Sequence, residues 1–285
     1  MIAPHLLGLR ALVSGVPEPR RSGSLLFMLQ VLCDETESHT EPRMFIVGGY
    51  IATVERWEGL TNAWQEVLNL PPRLSYFSFH EAFPDGGPPR RQFYGMTPEQ
   101  RDQRVALLRS IIEHYALAEI GVGFKLAPYK AAFAGLDKMA NNPYFFAVQA
   151  LDKVVARNME KIGLPRQPLQ FIYDDKKKEE PYLLDAWFWA RSRANPDPPD
   201  LFDVLTTAPQ FRPSKGPDGV IALQAADLFV GWTRACNTAE MRGGSAMRLP
   251  GYNRELPGIF WPCTDQELID AAERIRRRNA ESAQQ

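Results

Sequence analysis

From Ser24 to Cys33 the chain is apolar at both alternating sets of positions, SLLFMLQVLC, and then breaks into two adjacent carboxylates, Asp34 and Glu35. Apolarity on both sets predicts a central strand covered on two sides, because a half-wet strand would alternate. MFIVGGYIAT, residues 44–53, has the same character, and the segment between the two runs, with Ser38, Glu41 and Pro42, suits a hairpin loop. The two runs are predicted to pair antiparallel. In VERWEGLTNAWQEVLNL the residues Trp57, Leu60, Trp64, Val67 and Leu68 fall at helical spacing, and Pro71-Pro72 ends the pattern. YFSFHEAF, residues 76–83, reads as a short strand.

Thr97 begins a helix by the cap, proline and capping-box signals of TPEQ. ALAEIGVGFKLA then alternates like a strand, and NNPYFFAVQALDKVVARNM is a long helix opened by an Asn cap and a proline. LQFIYDD, residues 169–175, repeats the opening device of a short apolar run ending in two carboxylates. EPYLLDAWFWARSR reads as a helix, PDPPD breaks the chain, GVIALQAADLFVGWTRACN is a strongly apolar helix, and a charged helix runs from Asp265 to Arg278. Helices alternating with strands after an antiparallel pair predict an α/β fold with a mixed sheet flanked by helices. Residues 24–285 read as one domain with inserted loops and a C-terminal helix, and residues 1–23 as a loose extension.

Composition narrows the function classes. With 45% hydrophobic and 24% charged residues, the chain belongs with soluble globular proteins, and a net charge of -1 supplies no global basic field for nucleic acid. A polyanion would have to be held by local patches or by metal ions. Cys33, Cys236 and Cys263 are scattered and form no C-x-x-C pair, which excludes a disulfide framework or zinc knuckle and predicts a reducing, cytoplasmic setting. No apolar run is long enough to span a membrane, and the opening residues lack a signal-peptide core. There is no G-x-G-x-x-G after a strand, no G-K-S/T loop and no G-x-S-x-G elbow, so no nucleotide cofactor is expected.

The candidate chemistry lies in carboxylates. Gln224 and Asp227, three apart, share one face of an otherwise apolar helix, where an ionised Asp is costly unless compensated. Asp34 and Asp174 each stand where a strand expires, and sites in α/β sheets gather at the carboxyl ends of strands. Acids converging there repel one another unless a hard cation intervenes. Magnesium or manganese, held by Asp34, Asp174 and Asp227, is the expected cofactor. The histidines, His5, His39, His80 and His114, show no i, i+4 pairing that would favour a softer metal.

Strand alternation should turn only one acid of each adjacent pair inward, but parity leaves Asp34 against Glu35, and Asp174 against Asp175, open. On a strand, His80 would share a face with Ser78 and Tyr76 and be accessible as a proton shuttle or substrate contact, whereas Glu81 would lie with phenylalanines. Turn, cap or packing roles compete for each of these residues. Lys125 is a further substrate-binding candidate. The basic runs at 90–91, 176–178 and 274–278, and the Trp187-Phe188-Trp189 cluster, suit phosphate contact and base stacking, or equally solvation and helix packing.

Four segments in this order, CDETES, FSFHEAF, FIYDD and LQAADL, resemble a widespread, mostly bacterial family, number 3800 in the domain-of-unknown-function series. The likeness covers about Ser24 to Asn237. It implies a ribonuclease-H-like fold and a divalent-metal-dependent nuclease or other phosphoryl-transfer enzyme acting on nucleic acid, with two magnesium or manganese ions in the carboxylate cluster. Asp34 matches the first acid of the family's opening motif, His80 its histidine, Asp174 its later strand-end acid, and Gln224 with Asp227 its helix motif. The chain departs from the pattern at Thr36, Glu37 and Phe83, which leaves the fourth carboxylate to Glu81, with Glu35 and Asp85 as rivals. Gln224 would orient a ligand from behind. The departures also keep open a noncatalytic nucleic-acid- or protein-binding module with the same fold.

Overall fold

The computed structural model describes residues 29–37, 43–85, 87–175, 180–190, 204–217, 219–244 and 256–282. The extension over 1–23, residues 24–28 of the first predicted strand, most of the first hairpin loop, the lysines at 176–178 and the Trp189 side chain lie outside them.

The two runs expected to pair do so: β1 (Leu29–Glu37) and β2 (Met44–Thr53) form an antiparallel ladder from Leu29 opposite Thr53 to Glu37 opposite Phe45. Thr53 then caps α1 (Val54–Asn69), accepting from the Arg56 amide, and the helix buries Trp57, Leu60, Trp64 and Leu68 as their spacing predicts. After α2 (Phe79–Ala82), the Thr97/Gln100 capping box opens α3 (Pro98–Tyr115). β3 (Ala118–Lys125) pairs antiparallel with β2 and passes directly into α4 (Leu126–Phe133). Asn142 caps α5 (Pro143–Asn158), β4 (Leu169–Asp174) runs parallel to β1, and α6 (Glu180–Ala190) follows. β5 (Gln210–Arg212), α7 (Leu223–Met241), β6 (Gly258–Pro262) and α8 (Asp265–Ser282) complete the chain.

The protein is thus α/β, with one mixed sheet in the order β5-β4-β1-β2-β3-β6 and helices on both faces. β1, β2 and β3 are antiparallel neighbours, whereas β4, β5 and β6 join parallel to β1, β4 and β3. Val31, Cys33, Phe171 and Tyr173 point into the layer formed with α4, α5, α6 and α8. Leu32, Ile46, Tyr50 and Ile172 point into the layer formed with α1, α3 and α7. This two-sided coverage accounts for the apolarity of β1 on both parities. No helix among the described residues is long and apolar enough to cross a membrane.

One expected strand is corrected. Residues 76–83 do not pair with the sheet: they form an irregular lead-in and the single turn α2. The alternation of Phe77, Phe79 and Phe83 with polar residues mimics a strand, but these rings pack into the layer under α7. β5 and β6 escape sequence reading because they are short and only partly buried.

Helix α7 lies close on β1 and β2 because the sheet beneath it is built of glycine. A β-carbon on Gly48 would stand 2.5 Å from the Ile120 carbonyl oxygen and 2.6 Å from the Phe229 ring of α7. Neither the strand backbone nor a ring packed against Tyr50 can retreat cheaply. Gly48→Ala is expected to cost about 1–3 kcal/mol, the range of overpacked cores. A urea midpoint equal to that of the parent would show that α7 rests less tightly than described.

Candidate active site

β1 and β4 run parallel with Leu29 beside Leu169 and Cys33 beside Tyr173. The next residue on each strand is an aspartate: Asp174 ends β4, whereas β1 continues to Glu37 along the β2 ladder, so Asp34 lies within its strand, where the β1–β4 ladder stops, and not at the strand end that the sequence suggested. Since Cys33 and Tyr173 face α5, alternation turns both aspartates to the side of α7 and Glu35 to the side of α5. This resolves the parity that the sequence left open. Each aspartate accepts from the amide that follows it: Asp34 Oδ1 from Glu35 at 2.8 Å, and Asp174 Oδ1 from Asp175 at 3.0 Å. Glu35 Oε1 accepts from the Tyr144 hydroxyl in the first turn of α5, at 3.1 Å.

Across this face α7 supplies Asp227, Gly231 and Arg234, one helical turn apart. All three grip the FHEA segment. Asp227 Oδ2 accepts from the Phe79 amide at 2.9 Å, a tertiary N-cap for α2 that Ser78 does not provide locally. A β-carbon at Gly231 would overlap the Phe79 ring. Buried Arg234 pairs with Asp85 just beyond α2. Being helical, this segment separates His80 from Glu81 by about 100° rather than 180°. His80 is exposed, as expected, but for this reason and not through strand parity. Glu81 is buried, and its Oε1 accepts from the Tyr76 hydroxyl at 2.8 Å and from Arg91 at 3.2 Å. Glu81 and Asp85 therefore each have a cationic partner and do not join Asp34 and Asp174.

Gln224, one turn before Asp227, joins three segments. Its Oε1 accepts from the Trp64 indole and the Phe77 amide, and its Nε2 donates to the Ser214 carbonyl. Ser214 in turn donates from its amide and hydroxyl to Asp174, each at 2.8 Å. Burial pushes the Asp174 carboxyl above its usual range, and these bonds with the nearby Lys215 offset part of that shift. Gln224 thus positions both the segment before His80 and the loop that holds Asp174.

A cleft of about 340 Å³ opens between these elements, lined by Glu35, Thr36, His80, Tyr144, Asp227 and Arg234, among others. Neither Asp34, which is 5% exposed, nor Asp174, which sits beside Ser214, is among its lining residues. Lys125 is exposed at the end of β3, with all of β2 between it and β1, and does not reach the cleft. The donors near the cleft are carboxylate oxygens, the chemistry of a hard cation. Among the described residues, no three His, Cys, Asp or Glu side chains are grouped to hold one ion. Magnesium takes one or two carboxylates and completes its shell with water and substrate phosphate. The residues fit that mode, and not a closed three-carboxylate cage of Asp34, Asp174 and Asp227. In comparisons with known proteins, no family model, curated protein or solved structure matches the chain.

Sequence reading passed over Asp152. It lies buried on the sheet-facing side of α5, beside Cys33 and Tyr173, whose hydroxyl has no hydrogen-bond partner among the described residues. Its signal was available, since Phe145, Val148, Asp152 and Val155 share the apolar spacing of one helix face. Arg234 likewise falls seven residues after Asp227 on the face already singled out.

Desolvation pushes the Asp152 carboxyl up to about 8, with nearby Lys153 pulling the other way. Its folded form keeps the proton that the unfolded chain releases near pH 4, so its contribution to stability is full below that pH and is lost as pH rises toward 8. Asp152→Asn is expected to resist urea better than the parent by a margin that widens from pH 4 to pH 8. Parallel midpoint curves would contradict this. Gln224→Met, which strands the Trp64 indole, the Phe77 amide and the Ser214 carbonyl, is expected to cost about 3 kcal/mol or more. A loss below about 1 kcal/mol in the same assay would show that Gln224 is not the joint described.

Proposed function

We propose that the chain is a divalent-metal-dependent phosphodiesterase acting on nucleic acid, with a ribonuclease-H-like fold akin to the family its motifs resemble. One observation carries the reading. Two parallel strands in register place Asp34 and Asp174 on the same face just where their shared ladder stops, and the helix packed over that face brings a third, Asp227, to an open cleft. The antiparallel opening strands followed by parallel β4 and β5 support the fold assignment.

In this proposal Asp34, Asp174 and Asp227 supply magnesium or manganese ligands, one or two to each ion, with Glu35 as a neighbouring oxygen donor. Ions held there would supply Lewis-acid activation of a water and charge stabilisation of the departing oxygen of a scissile phosphodiester. His80, exposed at the rim, moves a proton to or from the reacting phosphate ester. Asp227 has a second task through the Phe79 amide, because it fixes the turn from which His80 projects. Gln224 and Ser214 hold Asp174 in place. Three cysteines, none of them in a disulfide, accord with a cytoplasmic setting.

A noncatalytic nucleic-acid- or protein-binding module is the competing reading, favoured by the engagement of both Asp174 oxygens with Ser214 and Asp175. Purified protein is expected to take up manganese in calorimetric titration and to cleave DNA or RNA only with magnesium or manganese. Asp34→Asn and Asp227→Asn should each lower cleavage at least about 100-fold. Full metal-dependent activity in both variants would overturn the site. Absence of both manganese uptake and cleavage in the parent would leave the binding module.

A further inference from the structure

Arg90, Arg91, Arg212 and Lys215 come from two distant stretches of the chain and line no part of the cleft, yet the structure sets them along one border beside Asp174. Gln224 joins the two stretches. Its Oε1 holds the Phe77 amide and its Nε2 the Ser214 carbonyl, so the residues next to these, Tyr76 and Lys215, meet: the Lys215 ammonium stands 4.8 Å from the centre of the Tyr76 ring. The Tyr76 hydroxyl donates to Glu81 Oε1, and Arg91 donates to the same oxygen. Arg91 opens a single turn of 3-10 helix, Arg91–Phe93, and Tyr94 stands one such turn beyond it. At the other end, Arg212 lies opposite Asp174 in the β4–β5 ladder. Because Phe211 packs into the layer with α5, alternation puts Arg212 on the face that carries Asp174.

The side chains on this border are open to solvent. Arg90, Arg212 and Lys215 are exposed, and none of them makes an ion pair or a side-chain hydrogen bond among the described residues. Arg91 remains 75% exposed while bonded to Glu81. The Tyr94 ring is 80% exposed and stacks on no other ring among the described residues. Glu81 is buried and offsets one of the four cations, Asp85 is held by Arg234, and Asp174 and Asp175 bound the border on the side of the site. Arg91 has a φ of +48°, and it is the one non-glycine with positive φ among the described residues. That conformation is costly for a side chain of this size and persists only where its surroundings hold it, here through Glu81. It fixes the turn that presents Arg90 and Tyr94 outward.

We propose that this border is the path by which single-stranded nucleic acid reaches the carboxylate site, with Arg90, Arg212 and Lys215 holding phosphates and Tyr94 receiving an unpaired base. The inference rests on the hydrolytic reading of Asp34, Asp174 and Asp227, and adds to it the class of substrate and the side from which it arrives. Exposed cations interleaved with an open ring are the chemistry that retains a single strand. A duplex keeps its base faces stacked inside and could not use Tyr94, and an acidic peptide has no base to lay on it. Helix α2 joins path and cleft, since His80 lines the cleft while Glu81, the next residue, anchors Tyr76 and Arg91.

The test is fluorescence anisotropy of a labelled single-stranded oligonucleotide against the full chain in EDTA, so that no hydrolysis enters. The Arg212→Glu/Lys215→Glu double variant, altered only at exposed positions, is expected to bind at least tenfold more weakly. Its logarithmic salt dependence should be shallower by about 0.7 for each cation removed. Tyr94→Ala should weaken binding roughly tenfold. Arg277→Glu, an exposed change on α8 across the sheet, should stay within about twofold of the parent. The path falls if the parent binds no strand, if Arg277→Glu loses as much as the double variant, or if a duplex or poly-glutamate competes as well as the unlabelled strand. It also falls, with the hydrolytic reading left standing, if the parent cleaves with manganese and the double variant does so at an unchanged KM. Binding that is lost in the double variant while the parent cleaves nothing would sink the hydrolytic reading and leave the strand-binding border.

Discussion

The arrangement of this protein depends on how closely α7 approaches the sheet. A helix normally stands off a β-sheet by the depth of interleaved side chains, and polar groups on its inner face would then be stranded in apolar packing. Here Gly48 and Gly49 remove that layer from β2, and Phe229 and Ala226 come down almost onto the backbone. At that depth Gln224 reaches three segments and Asp227 reaches the Phe79 amide. What looks in sequence like two misplaced polar residues in an apolar helix is a set of satisfied joints between α7, α1, α2 and the loop after β5.

Helices and the inner strands were legible because their signals are local or periodic. The Thr97 capping box, the α1 stripe and the doubly apolar β1 and β2 each carry their own instructions. The FHEAF segment was not legible, because its cap comes from Asp227, almost 150 residues away. β5 and β6 were missed because strands of three and five residues present too short a pattern. The equivalence of Asp34 and Asp174 could be sensed because each follows an apolar run, but β1 continues past Asp34 to Glu37, and only the register of β1 on β4 makes the two neighbours. Spacing likewise could not reveal that Glu81 and Asp85 already have arginine partners.

A net charge of -1 is distributed unevenly. Carboxylates collect where the β1–β4 ladder stops, whereas Lys153, Arg157, Arg274 and Arg278 line a groove between α5 and α8 together with Glu267 and Asp270. The first turn of α5 carries Tyr144 to Glu35, while its later turns carry Lys153 and Arg157 to the groove. One helix therefore lies against both charged regions and sets their spacing as a rigid element.

The sheet also ends abruptly on both sides. β5 offers three residues, and β6 offers five and finishes at Pro262, which has no amide hydrogen to donate. Long flat borders invite other chains to dock by backbone pairing, the first step toward ordered aggregates, whereas short ones give an incoming strand little to hold. Self-association through continuation of this sheet is accordingly disfavoured, even though β1 and β2 at its centre are among the most adhesive sequences in the chain.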